Sequence, residues 1–224
     1  MINKDSNFDE IMEDSEQQKE LSGKEIFTKI WTSPRKIFKR INDEDYSKYV
    51  MVLLAISGIS RAFGQASNQN WGDKMSIWAI LATCIIAGGL IGWVSYYIYA
   101  ALISWTGKWL KGEGNTNSIL NIMAYAMLPS IVALVFLVPQ IGVYGNEIFK
   151  ADGDIVSAGV ISNIFVYLSS FLQLAFGIWA IILIVIGVSV VQKFSIGKAI
   201  LNMLIPGLLI LVPVLLILLL IKMF

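Results

Sequence analysis

Hydrophobic positions along the chain fall into five long runs, near residues 47 to 66, 76 to 104, 119 to 142, 159 to 191 and 196 to 222. Each is long enough for a helix to cross a bilayer, which takes about 20 residues at ~1.5 Å of rise apiece. The first is the weakest, because Arg61 interrupts it and the polar stretch GQASNQN follows. The second and fourth exceed the required length, so they tilt, project beyond the hydrocarbon or bend at Gly88-Gly89 and Gly177. The pattern predicts an all-α polytopic transmembrane bundle of about five spans over residues 46 to 224.

Ahead of the first span the pattern changes period. At 100° per residue, Ile26, Phe27, Ile30 and Trp31 share one helical face, while Lys24, Glu25, Thr28 and Lys29 share the other. The pattern restarts at Pro34, with Ile37, Phe38 and Ile41 on one side and Arg35, Lys36, Lys39 and Arg40 on the other. Ser33 is placed to cap a helix whose first position is Pro34, where the missing amide hydrogen costs nothing. Residues 24 to 45 therefore read as a basic amphipathic segment. It lies in the headgroup region with its apolar face in the acyl boundary and its cations on anionic lipids. Trp31, Pro34, Arg35, Lys36, Phe38, Lys39 and Arg40 are its membrane-surface anchors. Residues 1 to 23 are acidic and poor in large apolar side chains, as in a solvated cytoplasmic tail.

Composition narrows the chemistry. The 224 residues are 56% hydrophobic and 15% charged, and the net charge of +1 gives no basic excess of the kind that gathers on nucleic-acid binders. The chain has no histidine and one cysteine, Cys84, so His-based zinc or triad chemistry and an intrachain disulfide are excluded. No cofactor, metal site or catalytic residue is expected. Asp152-Gly153-Asp154 lacks the further acidic ligands of a calcium loop.

Charge sets the orientation. With the amino terminus inside, the inner segments hold thirteen Lys and Arg and the outer segments three, with Arg61 inside the first span. The positive-inside rule then places the amino terminus in the cytoplasm and the carboxyl terminus outside.

Trp31-x-x-Pro34-x-x-x-Phe38 before the first span, the polar loop KGEGNTN after the second, and AYAMLPS from Ala124 to Ser130 together resemble the prokaryotic branch of the Yip1 family of five-span membrane proteins. The resemblance covers about residues 24 to 224, with AYAMLPS matching the tyrosine-and-proline motif of the family's third span. It implies an integral membrane protein of the bacterial cytoplasmic membrane that organises membrane proteins or lipids without catalysis. The aspartate-leucine-tyrosine-glycine-proline motif of eukaryotic members is missing, and with it the ground for a prenylated Rab-type GTPase as partner.

Several intramembrane residues stand out. Pro129 removes the donor for the Tyr125 carbonyl, which localises a bend in the third span. Asn202 and Pro206 in the fifth span are placed at comparable depth, so spans three and five are expected to pack together there. Two broken spans also favour an alternative function, a small transporter or channel component with a midplane site. Arg61 either snorkels towards the outer surface or pairs with Asp73, Asp152 or Asp154. Gly88-x-x-x-Gly92 and Ser60-x-x-x-Gly64 let helices approach closely, within one chain or in self-association. Trp93, Tyr96, Tyr97, Tyr99, Trp105 and Trp109 form an aromatic belt at the inner end of the second span.

The orientation is open to a direct check. In a background lacking Cys84, single cysteines replace Ser6, Asn115, Asp152 or Ser195. An impermeant thiol reagent applied to intact cells is expected to label position 152 alone. Labelling at 115 overturns the five-span order.

Overall fold

A computed structural model describes residues 21–155, 157 and 159–223, with the backbone alone at 210 and 214–223. The acidic tail expected at residues 1 to 23 therefore falls, up to residue 20, outside the described residues. Two short helices, α1 (Gly23–Lys29) and α2 (Pro34–Asp43), precede α3 (Val50–Asn68), α4 (Ile77–Trp109), α5 (Thr116–Ala126), α6 (Leu128–Tyr144), α7 (Val160–Val191) and α8 (Ile196–Met223). Short 3-10 turns at Trp71–Asp73 and Gly145–Phe149 join the spans at the end away from α1 and α2. The described residues contain no strand. Among the described residues, five helical stretches are long and apolar enough to cross a membrane, with α5 and α6 together forming the third.

The second and fourth spans run unbroken through Gly88-Gly89 and Gly177, as helices of 33 and 32 residues. At ~1.5 Å per residue each approaches 50 Å, well beyond a hydrocarbon core of about 30 Å. Length is accommodated by projection or tilt, not by a break.

The third span does break. Its first half, α5, is the axis of the bundle: every residue from Ile119 to Ala126 is buried, against α2, α3, α4 and α7. Helical hydrogen bonding stops at Met127, whose N–H reaches Met123 O at 3.1 Å, and α6 restarts with Pro129 in its first turn. The proline has no N–H for the Tyr125 carbonyl, which is the physical reason for the break. In contrast, α8 continues as one helix through Pro206 and Pro213.

The expected packing of spans three and five at these bends is corrected. Helix α8 lies on α4 and α7. Asn202, fully buried, donates to Ile103 O at 3.2 Å and accepts from Thr106 Oγ1 at 2.9 Å. Its partners are thus in span two. Tyr99, also in span two, donates its hydroxyl to Met203 O at 3.1 Å, in the turn that Pro206 loosens.

Glycine sets the tightest crossing. A side chain at Gly58 in α3 would collide with the Gly88 carbonyl and sit 2.7 Å from the Gly92 Cα of α4. One at Gly88 would stand 2.9 Å from the Gly58 oxygen and the Ile59 Cα. These are backbone atoms, which cannot swing aside. The Gly88-x-x-x-Gly92 pair is therefore consumed within the chain, whereas Gly64 of Ser60-x-x-x-Gly64 meets nothing within 4 Å.

That contrast yields a prediction. Gly58→Leu overpacks a backbone crossing and is expected to cost at least the ~1–3 kcal/mol typical of overpacked cores. Gly64→Ala meets open space and is expected to be neutral or slightly stabilising, since Ala is the better helix former by about 1 kcal/mol. Thermal unfolding in detergent separates the two; equal melting temperatures would remove the crossing from the account.

Candidate functional site

The basic segment folds as a hairpin across one end of the bundle. Ser33 does not cap α2 through its side chain, because its backbone (φ −137, ψ 53) lies outside the extended conformation of a capping residue. Pro34 nonetheless begins the helix. At the joint, the Trp31 indole N–H donates to Phe27 O at 2.9 Å, and its ring stands edge-on to Phe176 of α7 at 6.1 Å. The tryptophan thus closes α1 and seats the joint against the fourth span, while the proline starts the next helix.

The apolar face of this hairpin packs on protein. Ile26, Ile30, Ile37, Phe38 and Ile41 are buried to 1% exposure or less, and α2 lies on α5 and α7. A side chain at Gly187 would meet Ile122, and Phe38 lies 3.6 Å from the same point. The expectation that this face lies in the acyl boundary is corrected accordingly. Lipid tails and protein interior are equally apolar, so burial alone does not choose between them. Polar contacts do. Arg40 bridges Glu25 at 2.9 Å and Glu44 at 3.1 Å, Lys29 pairs with Glu25 at 3.2 Å, and the Leu21 N–H donates to Glu44 Oε2 at 2.9 Å. Burial opposes ionisation of Glu25, but Lys29 and Arg40 outweigh it and hold the carboxyl below its usual range. Arg35 Nη2 donates to Ser189 Oγ at 3.4 Å.

The seven anchor residues therefore divide. Trp31, Phe38 and Arg40 hold the hairpin to itself and to the bundle, Pro34 begins α2, and Arg35, though exposed, reaches back to Ser189. Lys36 and Lys39 are exposed, as are Lys24 and Lys29, and they form a basic face.

Beside the hairpin, Gln192 forms a clamp that sequence reasoning missed. Only 1% exposed, it accepts from the Gly114 N–H at 2.9 Å and donates to Ile103 O at 3.3 Å. Side chains at Gly107 or Gly112 would collide with its amide, so the glycines of the KGEGNTN loop leave room for it. Ser104 Oγ donates to Gly114 O at 3.1 Å. The available signal was a glutamine at the end of an apolar run together with a glycine-rich polar loop.

Tyr125 is fully buried, with its ring 6.1 Å from that of Tyr46. Its hydroxyl lies beside the Tyr49 backbone without reaching hydrogen-bond geometry. Asn121 donates to Asp45 Oδ1 at 3.3 Å. Arg61 is exposed and forms no ion pair among the described residues. In the aromatic belt, Trp105 and Trp109 are exposed and pack edge to face at 4.8 Å, whereas Tyr96 is buried with its hydroxyl 3.5 Å from Ser57 O.

At the opposite end, a groove of about 480 Å³ opens between α3, α6 and α7. Ser60 and Ser67 face Ser130 and Gln140 across it, and Gln173 of α7 lines it too. No ionisable side chain is among its lining residues. No group of three or more metal-ligating side chains occurs among the described residues.

Among known proteins, no curated sequence and no solved structure matches the chain. The family model of the Yip1 domain matches residues 28–218. That span begins inside α1, takes in the Trp31 joint, the glycine loop clamped by Gln192 and the break after Tyr125, and ends within α8. The chain is an integral membrane protein of the Yip1 family.

Proposed function

We propose that this protein is a non-enzymatic organiser of the membrane, gathering anionic lipids or acidic partner proteins at its basic face. The observation that carries the reading is the exposed row of Lys24, Lys36 and Lys39 on a hairpin whose other face is buried in the bundle. A cation held on a fixed scaffold loses little freedom when it meets a headgroup phosphate, and each contributes ~1 kcal/mol near an anionic surface. In this reading the face lies on the cytoplasmic side of a bacterial plasma membrane, with the carboxyl terminus outside, as the asymmetry of Lys and Arg favours. Enzymatic chemistry finds little support: histidine is absent, and Cys84 is buried among apolar side chains, with no base to activate it.

A small transporter or channel component is the second reading. The break after Tyr125 and the groove beside α6 favour it. Against it stand the unbroken helix α8 and the lack of ionisable side chains in the groove.

In nanodiscs of mixed phosphatidylglycerol and phosphatidylcholine, the triple variant Lys24→Gln, Lys36→Gln and Lys39→Gln is expected to lose about tenfold or more of its preference for phosphatidylglycerol, read by native mass spectrometry. Circular dichroism and size-exclusion chromatography of the triple variant check that the fold is retained. Undiminished retention of phosphatidylglycerol would refute the lipid arm. Protein-dependent uptake of a solute by liposomes would favour the second reading.

A further inference from the structure

We propose that the groove between α3, α6 and α7 binds the ester region and one acyl chain of a diacylglycerolipid from the leaflet opposite the basic face. It stands whether or not the basic face collects anionic lipid.

Four observations carry it. First, Gln140 is 6% exposed, lines the groove, and its buried Nε2 has no hydrogen-bond partner. An amide donor left unpaired in an apolar surround is costly, so the site calls for an acceptor oxygen. Second, no ionisable side chain lines the groove, so the acceptor is a neutral carbonyl and not a phosphate or carboxylate. Third, side chains at Gly64 and Gly177 would meet nothing within 4 Å. Both glycines line the groove, and the space they leave lies between apolar walls that include Phe63, Leu134, Leu137 and Val166. Fourth, the inner end is crossed by the hydrogen bond from Ser60 Oγ to Ser130 O at 3.1 Å, and no residue of the basic end lines the groove.

Those features fit a lipid better than a solute in transit. The groove runs from the level of Asn68 and Phe149, at the membrane surface, inward to Ser60 and Gly177. A blind cleft with a neutral donor near its mouth and apolar walls matches an ester carbonyl followed by its chain. Its volume falls within the ~300–1,000 Å³ of small-molecule sites.

The test uses the full-length protein in nanodiscs with two photoactivatable lipids carrying a diazirine on one chain, a diester phosphatidylcholine and its dialkyl ether analogue. The diester is expected to label residues of the groove about fivefold more than the ether, the worth of one net hydrogen bond. Gln140→Leu should abolish that preference while retaining the fold. Gly64→Leu should block groove labelling by both probes; Gly197→Leu, equally open but in α8 outside the groove, should not. Equal labelling by diester and ether in the wild-type protein overturns the assignment of Gln140. If neither probe labels the groove, and a cysteine at Gly177 in a Cys84-free background instead reacts rapidly with an impermeant thiol reagent, the cleft is an aqueous vestibule and the proposal fails.

Discussion

Hydrocarbon offers no hydrogen bonds, and the bundle is organised by that refusal. Most of the polar groups buried in the spans are answered by a carbonyl or amide of the same chain. Ser57 and Ser169 turn back on the carbonyls of Leu53 and Phe165, one turn earlier, at 2.7 and 2.6 Å. Asn202 and Gln192 reach across helices to the same carbonyl, that of Ile103. Spans two, four and five are thereby tied at one point. The KGEGNTN loop is held there by the same glutamine, so the end of the bundle that carries the hairpin is fixed by side-chain amides as well as by packing.

Against that background the unanswered groups are informative. Tyr125 Oη, Gln140 Nε2 and Trp179 Nε1 are buried without partners. Tyr125 sits in the most enclosed helix of the structure, where a hydroxyl can be carried by the packing of its ring. Gln140 differs, because it borders open space where an acceptor can be accommodated.

The spans were legible because bilayer thickness fixes their length, and the break after Tyr125 because a proline removes a specific donor. Which spans are interior was not legible. The residues around Ile122 are sealed in the core, while Ile161 of α7 is 86% exposed, yet both stretches are simply apolar. In a membrane, hydrophobicity does not distinguish a protein-facing side chain from a lipid-facing one. The same degeneracy explains why the amphipathic hairpin looked like a lipid anchor: its period was right, and its partner surface was invisible. Pro206 and Pro213 leave α8 unbroken although the third span breaks at Pro129, so an internal proline does not by itself decide whether a span breaks. Gln192 escaped notice because its role depends on three glycines that come close only in the folded chain.

The hairpin also has a history within each molecule. Phe38 leaves the ribosome long before Ile122 and Gly187, the residues that will enclose it. Until α5 and the end of α7 have been made, its apolar face lacks the protein surface that buries it in the finished bundle. One of the first segments to be synthesised therefore cannot pack until most of the chain has followed it.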